Sequence, residues 1–584
     1  MSIQQIQAIE ALMSNEDKME LKSIYAPREV CVLPEDASRQ IAVCPDGEIR
    51  LYGREDRPLE HWTGAPIYLA SRDGGLSWKK HRIENPNVLK NASKNPKTGR
   101  YITTRSIMTD AENHCGTVYA LLSDEGFDSA NYRKVKLADY PIHISHQPDY
   151  IEALDRWIIT GEYTDKEHIK RITVSVSDDD GEHFRTQILE NYAPYYEVKP
   201  PHKGPRWQQY SCEPTLVYLP EEKKLLMIVR TTQDYHYQYV SYDGGDSWEG
   251  PVPTPFHAVN TMPILYRMSD GRLLHLWANA HPLAELNHRE AFPPLDEDTI
   301  NGVWEDVFTN RDINCIAISE DGGKTWSHAR EFWRNPVRDR SDFRSIGGFN
   351  TLDKSVHQGE MLELPFGKML VTFGQNAVAR RAVIFDVNWL YEREASENFR
   401  LGLDGVSTHM FVKSNLGGFH HFSGHCAYNR THGALLIPDP DGTFEEVLQI
   451  CYLDDPRLVD KKQGVTWGFP SSAIGEVSVR LRVLSHGVKI SLLDAWAHPA
   501  DENIADNAHI CFDYDQITAP DTWDSLTVCY NTEEMRYCVR VNEELYLEGA
   551  IRGTCTLGLL YLHIQTLATS RDINGTLIKS LSKK

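Results

Sequence analysis

The sequence predicts an all-β protein in which a six-bladed β-propeller is followed by an antiparallel β-sandwich. Three observations support this prediction: a short turn motif that recurs at blade-like spacing, hairpin patterns that alternate with it, and a change of pattern after about residue 400. The 584 residues are more than one ordinary hydrophobic core organises, so several domains or one large repeat fold are expected.

The repeated turn has the pattern Ser-x-Asp-x-Gly-x-x-Trp. Asp and Gly favour tight turns, and the Trp ring can pack back on the turn. Copies begin at Ser71, Ser241 and Ser319, a copy that ends in Phe begins at Ser177, and a shortened copy begins at Ser123. Successive starts are 52, 54, 64 and 78 residues apart, which is close to one four-stranded blade each. A long loop at 281–308 accounts for the widest interval.

Hairpin patterns alternate with these turns. Each has an apolar run, a short turn and a second apolar run, which is typical of buried antiparallel strands. Clear copies begin at Arg39, His146, Cys212, Thr261 and His357, and a weaker copy lies at 95–106. Six hairpins predict six blades, and the strand-like segment 28–34 is expected to close the ring by pairing in the last blade.

The chain is expected to have three parts. Residues 1–24 form a charged helical segment, residues 25–395 form the propeller, and residues 400–584 form the sandwich. The last part shows dense two-residue alternation without the turn motif, as in "EVSVRLRVLSHGVKISLLDAW".

Composition and charge exclude several classes of partner. Asp and Glu (83) outnumber Lys and Arg (61), so the formal net charge of −22 argues against nucleic acid or an anionic membrane as the main partner. The eleven Cys residues form no CxxC pair, so we expect neither a disulfide framework nor a metal site, and no cofactor. The sequence shows no membrane-spanning run and no signal-peptide pattern, so a cytoplasmic location is expected. Oligomers are compatible with the sequence.

Polar residues are predicted to gather at one rim of the propeller. The first strand of a blade lines the channel and the second runs antiparallel to it, so the start of the first and the end of the second meet on one face. Strand starts supply Arg39, His146, Gln147, Glu213, His357 and Gln358, and strand ends supply Arg54, Glu162, Arg230, Asn279 and Gln375. A pocket is expected at this rim.

The repeated turn is the Asp-box, or BNR repeat, and the chain resembles the sialidase superfamily of six-bladed propellers over roughly its first 390 residues. The tail looks like a concanavalin-like, jelly-roll domain. The resemblance implies that Glu213 assists a Tyr nucleophile and that Arg230 grips a substrate carboxylate, for which the planar guanidinium is suited. It also implies that Arg39 is a further carboxylate-binding arginine and that Asp56 is an acid/base residue. Arg344 is the candidate for the third arginine, with Arg338 and Arg340 as competitors.

The sequence departs from that family at the nucleophile. No Tyr stands in the blade that follows Arg344, which argues against sialic acid hydrolysis by double displacement. His357 and Gln358 occur there instead, and they repeat the His-Gln pair of His146 and Gln147. Two imidazoles are therefore predicted to face each other across the channel and to perform acid/base chemistry. Each of these roles has a structural alternative. The two His-Gln pairs could be hydrogen-bonded rim residues that were repeated by blade duplication, and Glu213 with Arg230 could be a structural salt bridge.

The sequence therefore predicts an enzyme, an exo-acting sialidase-like glycoside hydrolase that removes an acidic or deoxy sugar from a glycan end. The predicted catalytic residues are Glu213, His146, His357 and Asp56. The predicted substrate-binding residues are Arg230, Arg39, Arg54, Arg344, Gln147, Gln358, Trp207 and Tyr210, the last two forming a sugar-stacking wall. The alternatives are a polysaccharide lyase acting on uronate-containing oligosaccharides and a non-catalytic glycan-binding protein.

Overall fold

The computed structural model describes residues 3–34, 37–54, 66–85, 87–110, 115–167, 169–197, 210–281, 311, 313–334, 356–374, 380–408, 410–413, 428–431, 433–454 and 461–584. For residues 37–39, 54, 110, 410–413 and 428–431 only the backbone is described. Within these ranges, the strands up to Asp386 form six four-stranded antiparallel sheets, which are the six predicted blades.

The strands of the first three blades follow one another along the chain, from the inner strand to the outer one. Strand β1 (Arg28–Val32) precedes them and belongs to the last blade. The first blade has β2 (Ala37–Val43), β3 (Ile49–Arg54), β4 (Pro66–Ser71) and β5 (Lys79–Arg82). The second has β6 (Ser93–Lys94), β7 (Tyr101–Asp110), β8 (Cys115–Ser123) and β9 (Arg133–Ala138). The third has β10 (Asp149–Ile151), β11 (Arg156–Thr164), β12 (Lys170–Ser177) and β13 (Arg185–Ile188).

The remaining three blades keep this order. The fourth has β14 (Cys212–Leu219), β15 (Lys224–Arg230), β16 (Tyr235–Ser241) and β17 (Glu249–His257). The fifth has β18 (Ile264–Arg267), β19 (Leu273–Trp277), β20 (Ile313–Ser319) and β21 (Ser327–Arg334). The sixth has β22 (Gly359–Leu364), β23 (Lys368–Phe373) and β24 (Arg381–Asp386), and β1 supplies its fourth strand.

Strand β1 closes the ring, as the sequence predicts. It pairs antiparallel with β24, with Arg28 opposite Ile384 and Val32 opposite Arg381. Arg381 also bonds Glu29 through its Nε at 2.7 Å. The outer edge of the last blade is therefore covered by a strand from the beginning of the chain.

Adjacent blades are held together by apolar side chains that alternate along each strand. In β15, Leu225, Met227 and Val229 pack against the third blade, whereas Leu226 and Ile228 pack against the fifth. Successive residues of a strand point to opposite faces, so a near-continuous apolar run serves two interfaces at once. We call each such interface between neighbouring blades a seam.

The repeated turn joins the third and fourth strands of a blade and is held by its own side chains. In the first copy Ser71 Oγ donates to Asp73 Oδ1 at 2.7 Å and accepts from the Gly75 amide at 2.8 Å. Trp78 Nε1 donates to the Gly75 carbonyl at 3.1 Å. In the shortened copy Ser123 Oγ instead donates to a backbone carbonyl, that of Asn131, at 3.0 Å. These turns lie at the end of each sheet opposite to the starts of the inner strands.

Two N-terminal helices, α1 (Ile3–Leu12) and α2 (Asn15–Ser23), cover the seam between the sixth and first blades. The amide of Asp17 donates to Ser14 Oγ at 3.1 Å and Asp17 bonds the Ser14 amide in return, which caps α2. Gly47, in the hairpin turn of the first blade, has a φ of +95° and meets α1 so closely that a Cβ would lie 2.3 Å from the Ala8 backbone. No helix among the described residues has the length and apolar character needed to cross a membrane.

Most of the remaining strands build a sandwich of two sheets, and two of them form a separate pair. They are β25 (Ala395–Glu397), β26 (Met410–Lys413), β27 (Tyr428–Thr431), β28 (Leu435–Pro438), β29 (Glu446–Tyr452), β30 (Gly464–Ser472), β31 (Ile474–Val483), β32 (Val488–Leu493), β33 (Ile510–Tyr514), β34 (Asp524–Asn531), β35 (Arg536–Val541), β36 (Glu544–Ala550), β37 (Leu559–Thr566) and β38 (Asp572–Lys583). The larger sheet has the order β28-β29-β38-β31-β34-β35-β36, with β25 beside β38, and the smaller has the order β30-β37-β32-β33. A short helix, α3 (Ile504–Asn507), precedes β33, and β26 pairs with β27. Alternate residues such as Val479 and Ile490 fill the core between the sheets.

The sandwich packs against the fourth and fifth blades through an apolar interface. Trp496 and Tyr561 of the sandwich share one buried cluster with Trp277 of the fifth blade. The Trp496 amide donates to the Asn279 carbonyl at 3.1 Å, and the His281 amide donates to the Trp496 carbonyl at 2.8 Å. The two parts of the chain therefore share buried surface.

We expect Gly47→Ala to destabilise the protein more than Gly99→Ala. Both glycines have positive φ, +95° and +86°, so both substitutions bear the roughly 1–2 kcal/mol cost of a left-handed alanine. Only at Gly47 does the new methyl group collide with the α1 backbone, which adds about 1–3 kcal/mol. Thermal unfolding and proteolytic release of the helices measure the difference, and equal behaviour of the two variants would contradict the observed contact.

We expect Trp496→Ala to lower the stability of the whole chain by about 3–5 kcal/mol, because it opens a cavity where the two parts meet. The Trp496 side chain is fully buried, whereas Phe444 in the same sandwich is fully exposed. Phe444→Ala is therefore the control and should change stability by less than about 0.5 kcal/mol. Calorimetry should resolve separate transitions for Trp496→Ala, and one unchanged transition would contradict a shared interface.

Candidate functional site

Glu213 and Arg230 lie side by side at the end of the fourth blade that carries the strand starts. Cys212 is opposite Arg230 in the β14–β15 pair, and the register shifts between Cys212 and Thr215. Glu213 lies in this bulge with a φ of +45°, a left-handed conformation that is costly for a residue with a side chain. Bulges re-aim side chains, and this one places the Glu213 carboxylate beside Arg230.

Arg230 connects two blades. Its Nη1 donates to Glu213 Oε2 at 2.8 Å, and its Nε donates to Asn260 Oδ1 at 2.7 Å. Both members of the ion pair are buried, with Glu213 8% and Arg230 6% exposed. Burial acts to raise the pKa of Glu213, but the charge and hydrogen bond of Arg230 together with the charge of His143 outweigh it, so the pKa is lowered and the carboxylate is ionised at neutral pH.

A second buried carboxylate, Glu162 at the end of β11, adjoins the pair. The Glu213 amide donates to Glu162 Oε2. Lys170 Nζ donates to Glu162 Oε1 at 2.9 Å, and His143 Nδ1 lies 3.4 Å from the same oxygen. Burial acts to raise the pKa of Glu162, but Lys170 and His143 more than offset it and hold the pKa at about 2.

His143 is the exposed member of this group, and the sequence analysis did not select it. Its side chain is 63% exposed, although its ring contacts the buried Glu162 carboxylate. The hydrogen bond with Glu162 raises the pKa of His143 against the opposing effect of desolvation. Backbone pairing between His143 and Glu162 extends the third blade three residues before the hairpin start taken at His146. That extra pairing is the signal that could have found it.

Arg311 is the second residue that the sequence analysis did not select. It is fully buried, and its Nη2 donates to the Asn260 carbonyl at 2.7 Å. The Val356 amide donates to the Arg311 carbonyl at 2.7 Å, which brings the chain next to His357. Contacts therefore run without interruption from Glu162 in the third blade to the entrance of the sixth.

His146 and Gln147 lie where the third, first and sixth blades meet. His146 Nδ1 is 3.7 Å from Glu360 Oε1 on β22. Gln147 Nε2 donates to the Ile41 carbonyl at 2.8 Å and to Asn91 Oδ1 at 2.6 Å. The structure thus uses Gln147 to connect blades, and it places His146 beside a carboxylate rather than beside Glu213.

The remaining predicted rim residues that the structure describes differ in burial and in the groups that they contact. His357 is buried, 1% exposed, and Gln358 has a φ of +62° at the entrance to β22. The Tyr210 ring packs edge-on against Tyr192, with centroids 5.3 Å apart. Asn279 is fully buried, and its Nδ2 donates to the Asp494 carbonyl of the sandwich at 2.9 Å, so it does not face the rim.

Several predictions fall on parts of the chain outside the described residues. Asp56, Trp207, Arg344 and Gln375 lie in such segments, and the side chains of Arg39 and Arg54 are not described. The described site therefore consists of the following group, which we call the rim cluster: His143, Glu162, Lys170, Glu213, Arg230, Asn260 and Arg311. It offers buried guanidinium groups, an ionised carboxylate and one exposed imidazole whose pKa is raised.

Comparisons with known proteins give one matching family model and several similar solved structures. A family model described as a BNR repeat-like domain matches residues 147–361. Trypanosoma rangeli sialidase has 11% sequence identity and a TM-score of 0.36, with 96% of this chain and 94% of that chain covered. Hadza microbial sialidase Hz136 has 11% identity and a TM-score of 0.40, with 61% of this chain and 66% of that chain covered. No curated protein matches the sequence.

The BNR repeat match covers the third blade, the fourth, the fifth and the entrance of the sixth. The Trypanosoma rangeli enzyme has also been solved in complex with sialic acid, at 10% identity and a TM-score of 0.35. The observed six blades, with repeated turns between their third and fourth strands, are the architecture that the sequence resemblance implies. The chain therefore contains a BNR repeat-like region at residues 147–361 within a six-bladed propeller, which is followed by a β-sandwich.

Proposed function

We propose that the protein is a glycoside hydrolase that removes an acidic or deoxy sugar from a glycan end. The observation that carries the proposal is the buried Glu213–Arg230 pair at the rim, with a strained backbone at Glu213 and the exposed His143 nearby. Strain and buried charge are costly, and they are concentrated at functional sites. The sugar-binding properties of the sialidases it resembles support the substrate class.

Arg230 is proposed to bind the anionic or polar edge of the sugar. A guanidinium group matches a carboxylate with two parallel hydrogen bonds. Arg311 brings a second guanidinium group to Asn260, the residue that also orients Arg230. An acidic overall composition does not oppose this role, because the basic groups are clustered locally.

Glu213 and His143 are proposed to share the acid/base chemistry. Glu213 is ionised, so it is suited to attack the anomeric carbon or to take a proton from water. His143 carries a proton more readily than a free histidine, so it is suited to protonate the departing oxygen. No Tyr is needed in this scheme. Asp56, His146 and His357 stay candidates for the acid role by their predicted positions.

The raised pKa of His143 favours hydrolysis over elimination. A lyase needs an unprotonated base beside the uronate carboxylate, and the raised pKa leaves a smaller fraction of His143 unprotonated at a given pH. Elimination would leave an ultraviolet-absorbing unsaturated sugar, which hydrolysis does not. A screen of aryl glycosides and uronate oligomers, monitored both by reducing ends and by absorbance, therefore tests the proposed function, and products without that absorbance are expected.

We expect Arg230→Lys to reduce kcat/KM by at least about 100-fold while the protein stays folded, because the positive charge beside Glu213 is kept but the planar fork is lost. Arg230→Ala is the poorer test, since it leaves Glu213 buried without its cation and costs about 3–5 kcal/mol. Arg330→Lys is the matched control, since that arginine is also largely covered, 12% exposed, but bonds Trp389 and Glu392 away from the rim. Loss of activity in both variants, or in neither, would remove Arg230 from the site.

We expect His143→Gln to lower kcat by about 100-fold and to remove the alkaline limb of the pH–rate profile. The acid form of His143 is the active one, so wild-type activity should be present below its raised pKa and fall as the pH rises through that pKa. Glu213 has a lowered pKa, so it stays ionised throughout this range. Steady-state kinetics from pH 5 to 9 measure the profile, with circular dichroism to check folding. An alkaline limb that persists in His143→Gln would assign the acid to another residue.

A further inference from the structure

Three side chains with metal-binding groups meet at one end of the smaller sandwich sheet. The ligand atoms of Asp494, His509 and Cys555 all lie within 4.8 Å of one another. Asp494 and His509 are buried, and Cys555 is partly buried. The group is distinct from the rim cluster and takes no part in the proposed glycosidase chemistry.

The sheet fixes the positions of these residues. Leu492 pairs with Ile510 in the β32–β33 ladder, so Asp494 and His509 lie just beyond the last paired residues. The His509 amide donates to the Leu492 carbonyl at 3.0 Å, and the Arg552 amide donates to the His509 carbonyl at 2.9 Å. Ligands on a rigid frame of this kind are preorganised for an ion.

The hydrogen bonds of His509 indicate which nitrogen faces the cluster with a lone pair. Its Nδ1 is 2.7 Å from the Arg552 carbonyl, so Nδ1 carries the hydrogen. Nε2 of the neutral ring then has a lone pair, and it lies 3.2 Å from the Asp494 oxygen Oδ2, which is also an acceptor. Two acceptors at this distance repel each other unless a second proton or a cation lies between them. A histidine that donates Nδ1–H to a carbonyl while Nε2 faces a carboxylate has the outer hydrogen bond typical of metal ligands.

A fourth group comes from the propeller. His257, the last residue of β17, places Nε2 at 3.3 Å from the same Asp494 oxygen. The side chains of His257 and Asp494 are 12% and 11% exposed. Two imidazole nitrogens therefore converge on one carboxylate oxygen, with a thiol beside them.

We propose that this cluster binds a divalent transition-metal ion of the zinc class, with Asp494, His509 and Cys555 as ligands. Thiolate and imidazole ligands favour zinc over magnesium or calcium, which bind mostly to oxygen. Cys555 binds as the thiolate, and its proton passes to solvent. His257 contacts the Asp494 ligand from the propeller side, so an ion held by Asp494 joins the fourth blade to the sandwich.

Metal analysis and cobalt spectroscopy of the intact chain test this proposal. Protein produced with zinc in the medium and then dialysed should retain about one zinc ion per chain. After removal of the ion by a chelator, Co²⁺ should give tetrahedral visible bands and thiolate-to-cobalt absorption in the near ultraviolet. Cys555→Ser should lose the thiolate-to-cobalt absorption, whereas Cys538→Ser, on β35 of the same domain, should keep it.

Thermal unfolding gives a second readout that does not depend on enzymatic activity. Zinc should raise the thermal midpoint of the chelator-treated protein by several degrees, and Asp494→Asn should abolish that shift. The proposal would be wrong if wild-type protein retained no zinc, showed no thiolate-to-cobalt absorption and had no zinc-dependent shift of its thermal midpoint. The cluster would then be only an ion pair of Asp494 with the two histidines. Equal cobalt spectra for Cys555→Ser and Cys538→Ser would overturn the ligand assignment. If Cys555→Ser does not fold, the wild-type cobalt spectrum alone decides whether a thiolate is a ligand.

Discussion

Each blade of the propeller has two apolar faces, and neither can be left in water. Strands such as β15 send alternate residues into two different seams, so a blade is stable only between two neighbours. The apolar faces at the two ends of such a row of sheets must therefore pack against each other in a closed ring or be covered by another part of the chain. The ring closes through β1 in the sixth blade, the N-terminal helices cover the seam beside it, and the sandwich extends the seam between the fourth and fifth blades.

Backbone strain also occurs where several of the inner strands begin. Among the described residues, four with positive φ lie at or just before the inner strands of four blades. They are Asn91, Glu213, Asn260 and Gln358. The chain has to turn sharply there to enter the channel wall. Asn tolerates this conformation better than most residues, whereas Glu and Gln have no such advantage. At Glu213 the cost is accompanied by an ion pair with Arg230, which links the backbone geometry to the proposed chemistry.

The sequence was informative about repeats and local pairs but not about groups assembled from distant segments. Turn and hairpin spacing predicted six blades and the closing strand, because these depend on local pattern. Glu213 and Arg230 were predicted as neighbours because they bracket one hairpin. His143 was missed because its strand pairing extends beyond the apolar pattern, and Arg311 because it lies outside the hairpin and turn patterns. The sequence does not place Asp494, His509 and Cys555 at the short spacing that is typical of metal ligands. Only the folding of the sheet brings them together. The domain boundaries, the oligomeric state and the cytoplasmic location stay predictions.

The pairing of β1 with β24 also bears on how the protein is made. Glu29 and its partner Arg381 are 352 residues apart, so β1 leaves the ribosome long before its partner strand exists. Contacts of such separation form slowly, and an unpaired strand edge can pair with other chains in the meantime. During synthesis the growing chain must therefore carry an open edge until nearly the whole ring has emerged. A nascent chain that stalls within the sixth blade would expose two unpaired edges, and chaperone binding at that stage would protect it from aggregation.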